Sequence, residues 1–245
     1  MEKFFNYFDH RYRQNLKMGK ATECGPLITI SRQTGCDAVA LAKKLAQNLN
    51  RKYSTNKWHW IDKEILLAAA KELGTGTHRV EQYIKGKELS GFSEMIMAIS
   101  GDFVSDLKVK KTISDVVLSM CKEGYVILVG RGGVAITGNV KKALHVRLVA
   151  PFYWRVDNMM KKRNMDIETA EEFVVDTDEK RYNLILNFLE KKPLNLDYLF
   201  DITINRNSFS IDQIAKMLSH IYEDRIHAVM DQSAEKNEDL QSTYG

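Results

Sequence analysis

Three short stretches of the chain carry residues that could do chemistry, and two of them could hold a phosphate group. The first is Ser31-Arg32-Gln33-Thr34-Gly35-Cys36, a polar loop with one glycine. It follows a β-rich run, Leu27-Ile28-Thr29-Ile30, and opens a helical pattern with apolar residues at Val39, Leu41, Ala42, Leu45, Ala46 and Leu49. A strand that turns tightly into a helix brings backbone N–H groups and the positive end of the helix to one spot, where an anion fits. The second stretch, Gly130-Arg131-Gly132-Gly133, follows the apolar run 125–129. Arginine offers a planar fork suited to bidentate phosphate binding, and glycines on both sides are hard to reconcile with a solvated surface residue. The third is Asp62, which closes Trp58-His59-Trp60-Ile61. It is placed either to meet a ligand at the strand end or to cap a helix beginning at Lys63.

The elements that must position these residues alternate regularly. Strands are predicted at 27–30, 58–61, 125–129, 144–149 and 199–205. Helices are predicted from the first loop to about 50, and over 63–73, 109–122, 152–163 and 167–188, with a last one opening at Ser210. Asp166 is a candidate N-cap, and Ser210-Ile211-Asp212-Gln213 is a capping box. Strands that are apolar throughout belong in a sheet buried on both faces. The class is therefore α/β: a five-stranded parallel sheet flanked by helices. Ligands gather at the carboxyl ends of such strands, and all three chemical stretches fall at strand ends. Residues 23–228 are expected to form one domain, with 75–108 as an insert of short helices and 152–195 as a lid-like helical region. Phe4, Phe8 and Tyr12 suit a short amphipathic helix within an N-terminal extension, 1–22. The polar residues 229–245 are expected to be a flexible tail.

Composition narrows the function classes. Of 245 residues, 44% are apolar and 28% charged, and no apolar run is long enough to span a membrane. The first residues lack the apolar core of a signal peptide. Three cysteines without metal-type spacing fit reduced thiols, so a cytoplasmic location is expected. The histidines form no ligand set, which leaves no structural metal to predict. A formal charge of +4 spread along the chain leans mildly toward anionic ligands and makes no case for nucleic acid. A homo-oligomer is left open.

Taken in order, these motifs resemble the bacterial cytidylate kinase-like proteins, within the P-loop nucleoside monophosphate kinases. The resemblance covers roughly residues 27–222. It is carried by ITISRQTGCDAVALAKKLA, WIDKEILLAAAKELG, YVILVGRGG, HVRLVAPFYWRV, and DEKRYNLILNF followed by FDITIN. It implies a nucleotide kinase-like protein on a P-loop fold, with transfer of the ATP γ-phosphoryl group to a CMP-like nucleoside monophosphate, and ATP and Mg²⁺ as the associated small molecules. The alternative is a catalytically impaired nucleotide sensor or partner-binding protein on the same scaffold.

Residue by residue, the resemblance assigns the nucleotide phosphates to Ser31, Arg32, Thr34, Gly35, Cys36, Asp37, Ala38 and Val39. It assigns the acceptor to Asp62, Gly130, Arg131 and Gly132, and phosphoryl transfer to Arg131 with the lid residues Arg155, Asp178 and Arg181. Arg163 falls in the same lid segment. The loop departs from the family pattern. Ala38 stands where cytidylate kinases carry the phosphate-binding lysine, Val39 lies at or beside the hydroxyl position, and Val129 replaces an acid before Gly130-Arg131. Asp37 takes a glycine position at the expected N-cap. A carboxylate there would repel a phosphate ~4 Å away by about 4 kcal/mol at an effective dielectric near 20. Arg32 has a second reading, an ion pair with an acid such as Asp62. Asp178 and Arg181, three apart on a helix, have another as a surface pair.

Overall fold

The computed structural model of the chain describes residues 24–53, 57–62, 106–189 and 193–225. The expected N-terminal helix, the helix over 63–73, nearly all of the 75–108 insert and the tail lie outside them.

Five strands form one parallel sheet in the order β2-β3-β1-β4-β5. They are β1 (Leu27–Arg32), β2 (His59–Ile61), β3 (Val126–Val129), β4 (Ala143–Val149) and β5 (Ile202–Asn205). β1 is central, paired with β3 through Ile30↔Val129 and with β4 through Ile30↔Val146. Alternation along β1 sorts its side chains between two layers. Ile28 and Ile30 join one apolar core with Leu41, Leu45 and Leu49 of α1 (Ala38–Lys52) and with Ile214 and Leu218 of α6, residues 211–225. Leu27 joins a second core with Ile113, Val117 and Met120 of α2 (Asp106–Glu123) and with Phe188 at the end of α5 (Ile167–Phe188). Between β3 and β4 lies α3 (Gly133–Ile136), and α4 (Phe152–Arg163) follows β4.

On the second face the strand pattern changes from apolar to polar toward the carboxyl end. Thr29 registers with His145, and Ser31 with Arg147. Thr29 Oγ1 and His145 Nδ1 are 2.8 Å apart, which satisfies both groups inside the sheet layer. The polar stripe leads directly to the chemical end of the molecule.

Most predicted elements are present, with shifted ends. α2 starts at Asp106, so residues 106–108 of the expected insert belong to it. The fifth strand was expected from Leu199, but residues Leu196–Leu199 form a 3₁₀ turn. The Asn195 side chain accepts the Asp197 N–H at 2.8 Å, a local bond that outcompetes sheet pairing there. The caps expected at Asp166 and at Ser210 hold. Asp166 accepts from Thr169 N at 2.8 Å, while Ser210 and Gln213 bond each other's backbone reciprocally. Val39, expected on the inner stripe of α1, is 38% exposed; Ala38 is buried in its place. No helix among the described residues is long and apolar enough to cross a membrane.

Candidate active site

The β1–α1 loop is held from two sides. Gln33 N donates to Leu148 O at 2.9 Å, and Gln33 Oε1 accepts from Ala150 N at 3.0 Å, fixing the loop to the end of β4. Gly35, at φ 91°, packs so closely on Arg155 that a Cβ there would lie 2.9 Å from the Arg155 carbonyl oxygen. Any other residue would push α4 off the loop.

Asp37 does not cap α1 through its side chain. It is left-handed at φ 57°, its side chain makes no cap hydrogen bond, and its carboxylate pairs with Lys162 at the end of α4. Asp37 is thus a neutralised charge and not the bare one expected from sequence. Lys162 was missed in the sequence, where it sits in an ordinary basic run at a helix end. Cys36 is fully buried, and desolvation pushes its thiol up to about 11, with Arg155 opposing. The helix terminus does not activate it.

Asp178, from the middle of α5, reaches the loop. Thr34 N donates to Asp178 Oδ1 at 2.6 Å and Thr34 Oγ1 to the same oxygen at 2.7 Å. Arg155 Nη1 donates to Asp178 Oδ2 at 2.6 Å, and Arg181 Nη1 donates to Thr34 Oγ1 at 2.8 Å. Asp178 and Arg181 are therefore no isolated surface pair; their own separation is 3.7 Å. Arg155, expected over phosphates, is only 7% exposed and also bonds Ala150 O and Thr34 O. Arg163 lies elsewhere, its guanidinium over the Phe173 ring at 4.5 Å.

Beside this contact, a cavity of about 330 Å³ opens between the carboxyl ends of β1 and β3 and the inner side of α5. Arg32, Arg131 and Arg181 line it, with Ser31, Gly130 and Gly132 below and Tyr182, Ile185 and Phe200 as apolar walls. Arg32 crosses over Gly130, where a Cβ would overlap its guanidinium, so the glycine is what lets the two strand ends converge. Gly130, Arg131 and Gly132 are successive left-handed residues at φ 70°, 57° and 69°. A non-glycine residue in that region costs roughly 1–2 kcal/mol, a strain that places Arg131 at the cavity wall. Its Nε lies 3.3 Å from Asp62 Oδ1, so Arg131 pairs with the acid that was one candidate partner for Arg32. Desolvation, then the field of Arg181, presses Arg32 down to about 9; Asp62 and Asp178 oppose this. Burial also lowers Arg181, with Arg131 adding to it and Asp178 opposing. Arg32 stays charged at neutral pH, and an anion entering the cavity would relieve the repulsion among the three guanidiniums.

Arg147, Tyr182 and Phe200 were not singled out from sequence. Arg147 pairs with Asp197 and lies over the Phe200 ring at 5.4 Å. Its signal was present: a charged residue inside the strand run Leu144-His145-Val146-Arg147-Leu148 needs a polar surface or cavity beside the sheet.

A parallel sheet of this order, with the loop after its central strand opening a helix and arginines converging above, defines a P-loop kinase-like protein. The chain belongs to the cytidylate kinase-like family, whose model matches residues 27–208. An uncharacterized protein from Eubacterium ventriosum has a similar fold, at 20% identity and a TM-score of 0.58, covering 81% of this chain and 98% of that one. A shikimate kinase from Bacteroides thetaiotaomicron superposes less well, with 13% identity and a TM-score of 0.47 over 81% of this chain and 98% of its own. A curated relative, the uronate isomerase of Corynebacterium glutamicum, is 24% identical over 141 residues. That match takes in 58% of this chain and 27% of the isomerase, so the two share only a segment.

Proposed function

We propose that the protein binds a CMP-like nucleoside monophosphate in the arginine cavity and transfers to it the γ-phosphoryl group of ATP. The observation that carries this reading is the convergence of Arg32, Arg131 and Arg181 on one cavity at the carboxyl ends of β1 and β3. A phosphate monoester matches that charge, and Tyr182, Ile185 and Phe200 offer apolar contact for a base or sugar. The volume lies at the lower end of small-ligand sites. In the transfer, an acceptor phosphate oxygen attacks the γ-phosphorus, and the bond to the β,γ-bridging oxygen breaks to release ADP. Arg131 and Arg181 hold the acceptor in line and stabilise charge on the moving group.

The loop residues do not fit a protein-held Mg²⁺. Positions 38 and 39 carry no oxygen on their side chains, Asp62 faces Arg131, and Asp178 is bonded to Arg155. Among the described residues no His, Cys, Asp and Glu cluster could seat a metal ion. No step is therefore assigned to a metal held by this chain.

Purified protein with Mg-ATP is expected to turn over at least one of CMP, dCMP, UMP and AMP. Arg131→Ala should lower kcat/KM by ~100-fold or more, as removal of a donor that stabilises transferring charge does. Nucleotide binding without turnover would make the protein a sensor on the kinase scaffold. Absence of both binding and turnover would overturn the proposal.

A further inference from the structure

We infer that the Asp178 carboxylate is an internal anion seated at the phosphate position of the β1–α1 loop, which a phosphorylated ligand must displace. The inference rests on the reading that this loop faces such a ligand, and it concerns how that site is controlled. The contacts of Asp178 are those a phosphate oxygen pair would make: a loop N–H at 2.6 Å, a hydroxyl at 2.7 Å and a guanidinium at 2.6 Å. Arg181 completes the ring by donating to the same Thr34 hydroxyl at 2.8 Å. Charge-assisted bonds of this kind are the strong class, so a ligand phosphate and Asp178 cannot both hold Thr34 N and Arg155.

The competition has a mechanical consequence. Asp178 itself lines the arginine cavity, together with Arg181, Tyr182 and Ile185 of the same helix. Releasing Asp178 frees Arg155 and Arg181 for the incoming anion and loosens α5, one wall of the cavity. Occupation of the loop is thereby coupled to the shape of the cavity that Asp178 also lines. If Asp178 holds the loop in most molecules, the apparent affinity for an anion falls by the fraction in which the loop is free.

The test uses inorganic pyrophosphate as the probe, titrated into the full chain by calorimetry at low ionic strength. Asp178→Asn keeps the size and one acceptor oxygen but removes the charge. It should bind pyrophosphate at least ~10-fold more tightly than the wild type. Equal or weaker affinity, or no binding by either protein, overturns the inference. Should Asp178→Asn fail to fold, hydrogen exchange on the wild type decides. Saturating pyrophosphate is expected to lower protection over residues 174–184, and unchanged or raised protection overturns the inference. Nucleotide turnover does not enter either readout, so the kinase reading and this inference can fail separately.

Discussion

Two cysteines show how far one residue's chemistry depends on its surroundings. Cys24 and Cys36 are both free thiols near β1. A hydrogen bond from the Cys121 thiol, opposed by burial and helped by Lys122, lowers Cys24 to about 7. Cys36 is pushed up to about 11 by burial. At pH 8 Cys24 is mostly thiolate and Cys36 almost wholly thiol. Brief treatment of the native protein with iodoacetamide should therefore label Cys24 at least ~10-fold faster than Cys36, as peptide mass mapping would show. The residue types at the site were legible in the sequence: Arg32, Arg131, Arg181 and Asp178 all reach it. Their partners were not, because Thr34 and Asp178 are 144 residues apart and no local pattern links them.

At the scale of elements, α4 and α5 act as one unit. Val156 and Met159 of α4 pack against Ala170 and Val174 of α5 in a small core of their own. Val174 is fully buried, whereas its neighbour Val175 is 57% exposed. Replacing Val174 by alanine removes two methyl groups from this core and should cost about 1–3 kcal/mol. Urea denaturation should show a lower midpoint with unchanged slope, and Val175→Ala should leave the midpoint nearly unmoved. Because Asp178 lies one turn beyond Val174, the same change should weaken the hold of α5 on the loop. Helix existence and caps were legible here because periodicity and Asp166 are local signals. The start of the fifth strand was not, since Asn195 diverts the backbone into a 3₁₀ turn by a bond of its own.

For the whole molecule, the sheet carries a pH limit. His145 lies inside the second face against Thr29, and its backbone N–H donates to Asp201 Oδ2 at 2.7 Å. Burial lowers the imidazole below its ordinary value of 6.5, outweighing Asp201, which pulls the other way; Arg225 adds to the lowering. His59, in β2, is lowered by burial as well. The unfolded chain therefore binds protons more readily than the folded one. The stability these histidines contribute is complete above pH 6.5 and is lost as pH falls through their lower folded values. Urea midpoints measured between pH 8 and pH 5 should decline, and His145→Gln should flatten part of that decline. A profile of the same steepness in His145→Gln would show that His145 is not the titrating group.

By itself the sequence determined the class of fold and the end of the sheet where chemistry gathers. Strand and helix periods, glycines at strand ends and N-caps are written within a few residues of where they act. What only the tertiary structure decided was the state of each charge at that end. Asp37 reads as an obstacle to phosphate in the sequence but is paired with Lys162, and Asp178, open between a lid role and a surface pair, is laid on Thr34 by α5. The physical reason is that Coulomb and hydrogen-bond energies depend on distances of a few ångströms between groups far apart in the chain, which packing alone sets.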